Sequence, residues 1–177
     1  MSEHIKKIIH TLNKLKIKYI FTGAFALAYY GFPRASTDID VIVERNKNKL
    51  IKLALSLKDE YDISVEDINH AVLKCKRFAV FHKKKLFPYF DFKIACDKDE
   101  ERALTEYTTV NYHGVKCRIS SVENLIIKKL EWGDINDVRS ILYRQKRKLN
   151  WRKLLSLAKE KHLDKTLKEL KEETNYE

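Results

Sequence analysis

The segment Y19-I-F-T-G-A-F-A-L-A-Y-Y-G-F-P-R-A-S-T-D-I-D-V-I-V43 constrains this chain more than any other. Tyr19–Phe21 is a short apolar run that stops at Thr22-Gly23. Residues 24–30 are good helix formers and end at Gly31, and Pro33 makes the next few residues a loop. Asp38–Val43 then alternates and is rich in β-branched residues, the signature of a strand. Strand, glycine turn, short helix, loop and strand therefore follow in order. On the second strand Asp38 and Asp40 are two residues apart and share a face, while Ile39, Val41 and Val43 point the other way into a core. Two carboxylates side by side repel and raise each other's pKa. A divalent cation removes that penalty, and carboxylate oxygens suit Mg²⁺ or Mn²⁺.

Gly23 lets the backbone turn tightly between strand and helix and approach a ligand. The helix start behind it offers free N–H groups to a phosphate. Arg34 and Thr37 precede the carboxylates, where a guanidinium and a hydroxyl can hold further phosphate oxygens. A phosphate cradle beside metal-binding carboxylates is the equipment of phosphoryl or nucleotidyl transfer. The spacing of the acidic pair alone is weak evidence, because Asp97-Lys98-Asp99 repeats it. That second pair reads as a charged helix start, with Glu100, Glu101 and Arg102 behind it.

The remainder predicts a helix over residues 3–16 on the stripe Ile5, Ile8, Ile9, Leu12 and Leu15, and another over Lys47–Leu57 capped by Asn46. Residues 60–75 are ambiguous, with a helix fitting 65–73. Strands at Arg77–His82 and 89–95 flank a Lys83-Lys84-Lys85 turn, and a hairpin bends at His113-Gly114. A helix then starts at Ser120/Ser121, with Glu123 placed for a capping box on Ser120. Three more helices follow near residues 134–145, 151–161 and 164–173. The pattern is α+β: a small mixed or antiparallel sheet flanked by helices over residues 1–119, then a C-terminal helical part over 120–177.

Hydrophobic residues at 44% of 177 supply a core and exclude wholesale disorder. No apolar run reaches the roughly 18 residues of a membrane span, and MSEHIKKIIH carries charges unlike a secretory leader. Three cysteines, Cys75, Cys96 and Cys117, without a CxxC spacing argue against a disulfide framework or a zinc site and for a reducing cytoplasm. The net charge of +11 suits a polyanionic partner, and it is concentrated. Residues 74–93 hold seven basic residues against one acidic, and 144–177 hold eleven against six. Within the first block Phe78, Phe81, Phe87, Tyr89 and Phe90 are core fillers or base-stacking surfaces.

The ordered set Gly23-Ala24 followed by Asp38-Ile39-Asp40-Val41 resembles the nucleotidyltransferase superfamily with the DNA polymerase β-like fold. Ala26, Ala28, Gly31, Arg34, Asp38 and Asp40 look like the pattern of its minimal prokaryotic branch, which includes AbiEii-type toxins. S121-V-E-N-L125, Lys128 or Lys129, and D134-I-N-D-V138 look similar to that branch's second motif. The resemblance implies a third carboxylate on a neighbouring strand. Asp91 in Y89-F-D-F-K-I-A95 fits, because it alternates with Phe90, Phe92 and Ile94. Glu66, Asp67 and Asp97 are rivals set in helix or loop sequence. The resemblance further implies metal at Asp38, Asp40 and Asp91, and phosphate contacts from Thr22, Gly23, Ala24, Arg34, Thr37 and Lys128. Ala24 departs from the usual Gly or Ser, and Thr22 can replace part of the lost hydroxyl. The implied activity is transfer of a nucleoside monophosphate from an NTP, with Mg²⁺ or Mn²⁺, to an acceptor hydroxyl of tRNA, other RNA or protein. A cognate antitoxin is the implied partner. The alternatives are a non-catalytic nucleotide- or partner-binding module and an antibiotic-modifying transferase.

Overall fold

A computed structural model describes residues 2–174. In chain order the elements are α1 (Ser2–Lys14), β1 (Tyr19–Phe21), α2 (Gly23–Tyr30), β2 (Asp38–Val43), α3 (Lys47–Leu57), β3 (Tyr61–Asp62), α4 (Val65–Lys74), β4 (Arg77–His82), β5 (Lys85–Ile94) and α5 (Lys98–Ala103). After them come β6 (Tyr107–Tyr112), β7 (Val115–Ser120), α6 (Val122–Glu131), α7 (Ile135–Gln145), α8 (Trp151–Glu160) and α9 (Asp164–Glu173). The α+β class expected from the sequence is the class observed. The chain forms two compact units, one of residues up to 22 with 35–119, the other of 23–34 with 120 onward.

The first unit is built on a mixed sheet in the order β3-β4-β5-β2-β1-β7-β6. β2 lies between β1, antiparallel to it, and β5, parallel to it. Alternation drives this placement. Ile39, Val41 and Val43 of β2 and Phe90, Phe92 and Ile94 of β5 are buried, and burial of each such side chain stabilises by about 1.5–3 kcal/mol. The residues between them, Asp38, Asp40, Asp91 and Lys93, face the opposite side and remain partly accessible. The α1 stripe Ile5, Ile8, Ile9 and Leu12 is buried, as are Leu50, Leu53 and Leu57 of α3. Asn46 caps α3 by accepting from the Lys49 N–H. Asp97 and Glu100 form a reciprocal capping box on α5, so the second acidic pair is a helix start.

In the second unit α2 packs on α6 and α7, α6 on α8, and α8 on α9. Gly31 follows α2 where a Cβ would lie 2.4 Å from Ser140 Oγ on α7. Arg144 Nη1 and Gln145 Nε2 donate to the carbonyls of Gly31 and Tyr30 at 2.6 and 2.9 Å, satisfying acceptors at the end of α2.

Four local expectations change. β3, two residues long, carries too little alternation to be read from sequence and pairs antiparallel with β4. β5 starts at Lys85 rather than near residue 89, since Lys85 pairs with His82 and leaves Lys83-Lys84 as the turn. The cap of α6 is Ser121, whose Oγ accepts from the Asn124 N–H. Glu123 instead accepts from the Asn150 N–H, so the Ser120 capping box does not form.

The fourth concerns cysteine. Cys75 and Cys96 form a disulfide with their Cα atoms 5.8 Å apart. Cys75 ends α4 in a left-handed conformation just before β4, and Cys96 lies just past β5. The antiparallel β4–β5 register therefore brings both to one end of the ladder. Cysteine number and spacing carry no information on that register. Closing a loop of sequence separation 21 stabilises by about 3 kcal/mol in the chain-entropy picture. Cys117 is a buried free thiol.

Candidate active site

The parallel β2–β5 register sets Asp40 opposite Asp91 and Asp38 opposite Tyr89. This puts Asp38, Asp40 and Asp91 on one face, with one oxygen from each within 4.8 Å of the others. All three are partly buried. Burial first, and then the charge of Asp38, raises the pKa of Asp40; Arg77 opposes the rise and Asp91 adds to it. Ser36 Oγ donates to Asp38 Oδ1 at 2.6 Å and orients it. Three converging hard oxygens with their repulsion uncompensated by one another match the donor set of Mg²⁺ or Mn²⁺. The residues present fit a divalent cation.

The remaining sequence-derived positions are distributed over both units. Thr22 is buried at the end of β1, and its N–H donates to the Asp40 carbonyl at 3.0 Å. Gly23 follows with φ of +56°, a left-handed conformation that favours glycine, and begins α2 with Ala24. Thr37 lies just before β2 in the first unit, and its carbonyl accepts from the Tyr89 N–H at 3.2 Å. In the second unit Arg34 Nε donates to Asp137 Oδ2 at 3.2 Å. Lys128 reaches Glu131 at 2.9 Å and stays part-exposed. Its neighbour Lys129 is buried to 2% and held by Asp134 and Asp137 at 2.7 and 2.8 Å. The three acids come together; Arg34 and Lys128 are engaged with other carboxylates. Among the rivals of Asp91, Asp97 caps α5, while Glu66 and Asp67 occupy the first turn of α4.

One neighbour of the triad was not singled out in the sequence. Arg77 bonds both Asp40 and Asp91. Phe81, 41% exposed, stacks on Tyr89 with ring centroids 5.1 Å apart. Tyr89 pairs with Asp38, and burial first, then the charges of Asp38, Asp91 and Asp40, raise its pKa. The sequence holds only half of the signal: with Phe78 and Val80 facing the core, Arg77 and Ala79 face the other way, and that this is toward the acids follows only from the β4–β5 register. Of the interleaved aromatics, Phe78 and Phe90 are core, whereas Phe87 is exposed.

No family model and no curated protein matches the chain. Solved structures do. The solution structure of the antibiotic-resistance factor ANT(2'')-Ia matches with a TM-score of 0.58 at 15% identity, over 99% of this chain and 97% of that one. The lincomycin-bound lincosamide antibiotic adenylyltransferase LnuA matches at 0.52 and 17%, over 80% and 98%. The fold is that of the nucleotidyltransferases. An antigenic nucleotidyltransferase-like protein of Paracoccidioides brasiliensis matches at 0.55 and 14%, over 90% and 87%. Identities this low establish likeness of this fold, with the acidic triad standing on its two adjacent parallel strands.

Proposed function

We propose that the protein is a metal-dependent nucleotidyltransferase that moves a nucleoside monophosphate from an NTP to an acceptor hydroxyl. The observation that carries this reading is the convergence of Asp38, Asp40 and Asp91 on a nucleotidyltransferase sheet. Asp38 and Asp40 would hold the divalent cation, with Asp91 completing the set. The bound cation supplies charge neutralisation for the phosphates and the leaving group. Asp91 takes the acceptor hydroxyl proton, the acceptor oxygen bonds to the α-phosphorus, and the bond from that phosphorus to the bridging β-oxygen breaks, releasing pyrophosphate. Thr22 and the amides of Gly23 and Ala24 are the assigned phosphate donors, with Thr37 beside β2 and with Arg34 and Lys128 as further cations. The amide of Ala24 is retained although a hydroxyl is lost there.

RNA is the acceptor we favour, and a protein hydroxyl ranks after it. Tyr89, paired with Asp38, stacks on the part-exposed Phe81, and Lys83 and Lys84 form the turn of the same β4–β5 hairpin, with Lys85 opening β5. Aromatic faces next to cations suit a single-stranded polyanion. Transfer to a small antibiotic hydroxyl is the second reading, favoured by the likeness to LnuA and ANT(2'')-Ia. The test uses α-labelled NTPs, Mg²⁺ or Mn²⁺, and panels of RNA, protein and antibiotic acceptors. Wild type transfers label, and Asp38→Asn or Asp91→Asn lowers the rate at least about 100-fold. Equal labelling by wild type and both variants overturns the reading.

A further inference from the structure

Arg77 opens β4 on the face that carries the acids. Its Nη1 donates to Asp40 Oδ1 at 3.3 Å and makes a shorter contact with Asp91 Oδ2. One guanidinium nitrogen thus stands between the two carboxylates that the parallel register sets opposite each other. The same two carboxylates converge with Asp38, one oxygen of each lying within 4.8 Å of the others. A dication drawn to these carboxylates meets the positive guanidinium already bonded to two of them.

The placement of Arg77 is built into the sheet. Arg77 pairs with Lys93 across β4 and β5, and the adjacent Phe78 is buried to 3%. Cys75, two residues earlier, is tied to Cys96 just beyond β5. The backbone is therefore held while the side chain, 41% exposed, has solvent to move into. Three half-buried carboxylates without a counter-charge would be costly. A guanidinium supplies that charge when no metal is bound, through charge-assisted hydrogen bonds.

We propose that Arg77 is a built-in counter-ion of the triad that competes with the divalent cation for Asp40 and Asp91 and is displaced when the cation binds. The role given to the cation rests on the nucleotidyl-transfer reading above. A triphosphate arriving with its cation offers the released guanidinium a new anion. Bare cation is therefore bound weakly and cation with nucleotide more tightly, which delays loading of the site until substrate is present.

The test titrates Mn²⁺ alone into the metal-free full chain by calorimetry, for wild type, Arg77→Lys and Arg77→Ala. Arg77→Ala is expected to bind Mn²⁺ about 10-fold tighter than wild type, the equivalent of one charge-assisted hydrogen bond. Arg77→Lys falls between, because an ammonium keeps the charge but lacks the planar fork. Thermal unfolding gives an independent readout. Without metal Arg77→Ala melts below wild type, and Mn²⁺ raises its Tm by more than it raises that of wild type. A lower Tm that Mn²⁺ does not restore makes Arg77 a structural residue only and overturns the proposal. Equal Mn²⁺ affinity in all three proteins overturns it while leaving the triad as a metal site. Absence of Mn²⁺ binding in all three overturns both this proposal and the metal-dependent reading.

Discussion

Cys117 shows how strongly one buried group can couple stability to pH. Its side chain is fully buried on β7, and burial pushes its thiol from 9.0 up to about 12. The unfolded chain loses this proton near pH 9 while the native chain keeps it. Stability that is fully present below pH 9 is therefore lost as pH rises toward about 12. Tyr61, raised to about 12 by burial and then by the charge of Glu60, adds to the loss in the upper part of that range. The native thiol should resist a disulfide-exchange reagent at pH 8 and react only on unfolding. Cys117→Ala should flatten the fall in Tm between pH 9 and 10; a Tm profile identical to that of wild type would contradict this. Asp91 is a single residue whose placement was legible in sequence. Its alternation with Phe90, Phe92 and Ile94 set its direction before any partner was known. Arg77 was not legible, because a basic residue at the start of a strand has no signature until the neighbouring strand is in place.

Elements were read well wherever apolar period and caps agreed. β2, α3 and the β6–β7 hairpin fall where alternation, the Asn46 cap and the His113-Gly114 turn put them. Errors arose where two local solutions compete. Ser120 and Ser121 are both able to cap α6, and the choice went to Ser121 because Glu123 is engaged by the Asn150 N–H. The packing of α2 against α7 yields a prediction at this scale. Ser140 Oγ is fixed by donating to the Asp137 carbonyl at 2.8 Å and accepting from the Phe32 N–H at 3.3 Å. A methyl at position 31 would lie 2.4 Å from it and 2.9 Å from Leu27 Cδ1. Gly31→Ala should destabilise by about 1–3 kcal/mol despite the better helix propensity of alanine. Denaturant unfolding measures this, and an unchanged midpoint would show that Ser140 can turn aside without cost.

For the molecule as a whole, the net charge of +11 is informative through its position rather than its size. Lys83, Lys84 and Lys85 lie on the hairpin whose return strand carries Asp91. If single-stranded RNA is the acceptor, its binding measured by fluorescence anisotropy should weaken steeply with salt. Replacing the three lysines by alanine should reduce the slope of log K against log salt by about 2, since each neutralised phosphate contributes roughly 0.7. An unchanged slope would move the RNA contact elsewhere. No described helix is long and apolar enough to cross a membrane. By itself the sequence determined the α+β class, the strands β2 and β5 and the faces their acids occupy, because alternation and turn chemistry act within a few residues. Only the tertiary structure decided that β5 lies parallel beside β2, that Arg77 bridges Asp40 and Asp91, and that Cys75 meets Cys96. Those outcomes depend on strand order and register, which are set by the packing of side chains far apart in the chain.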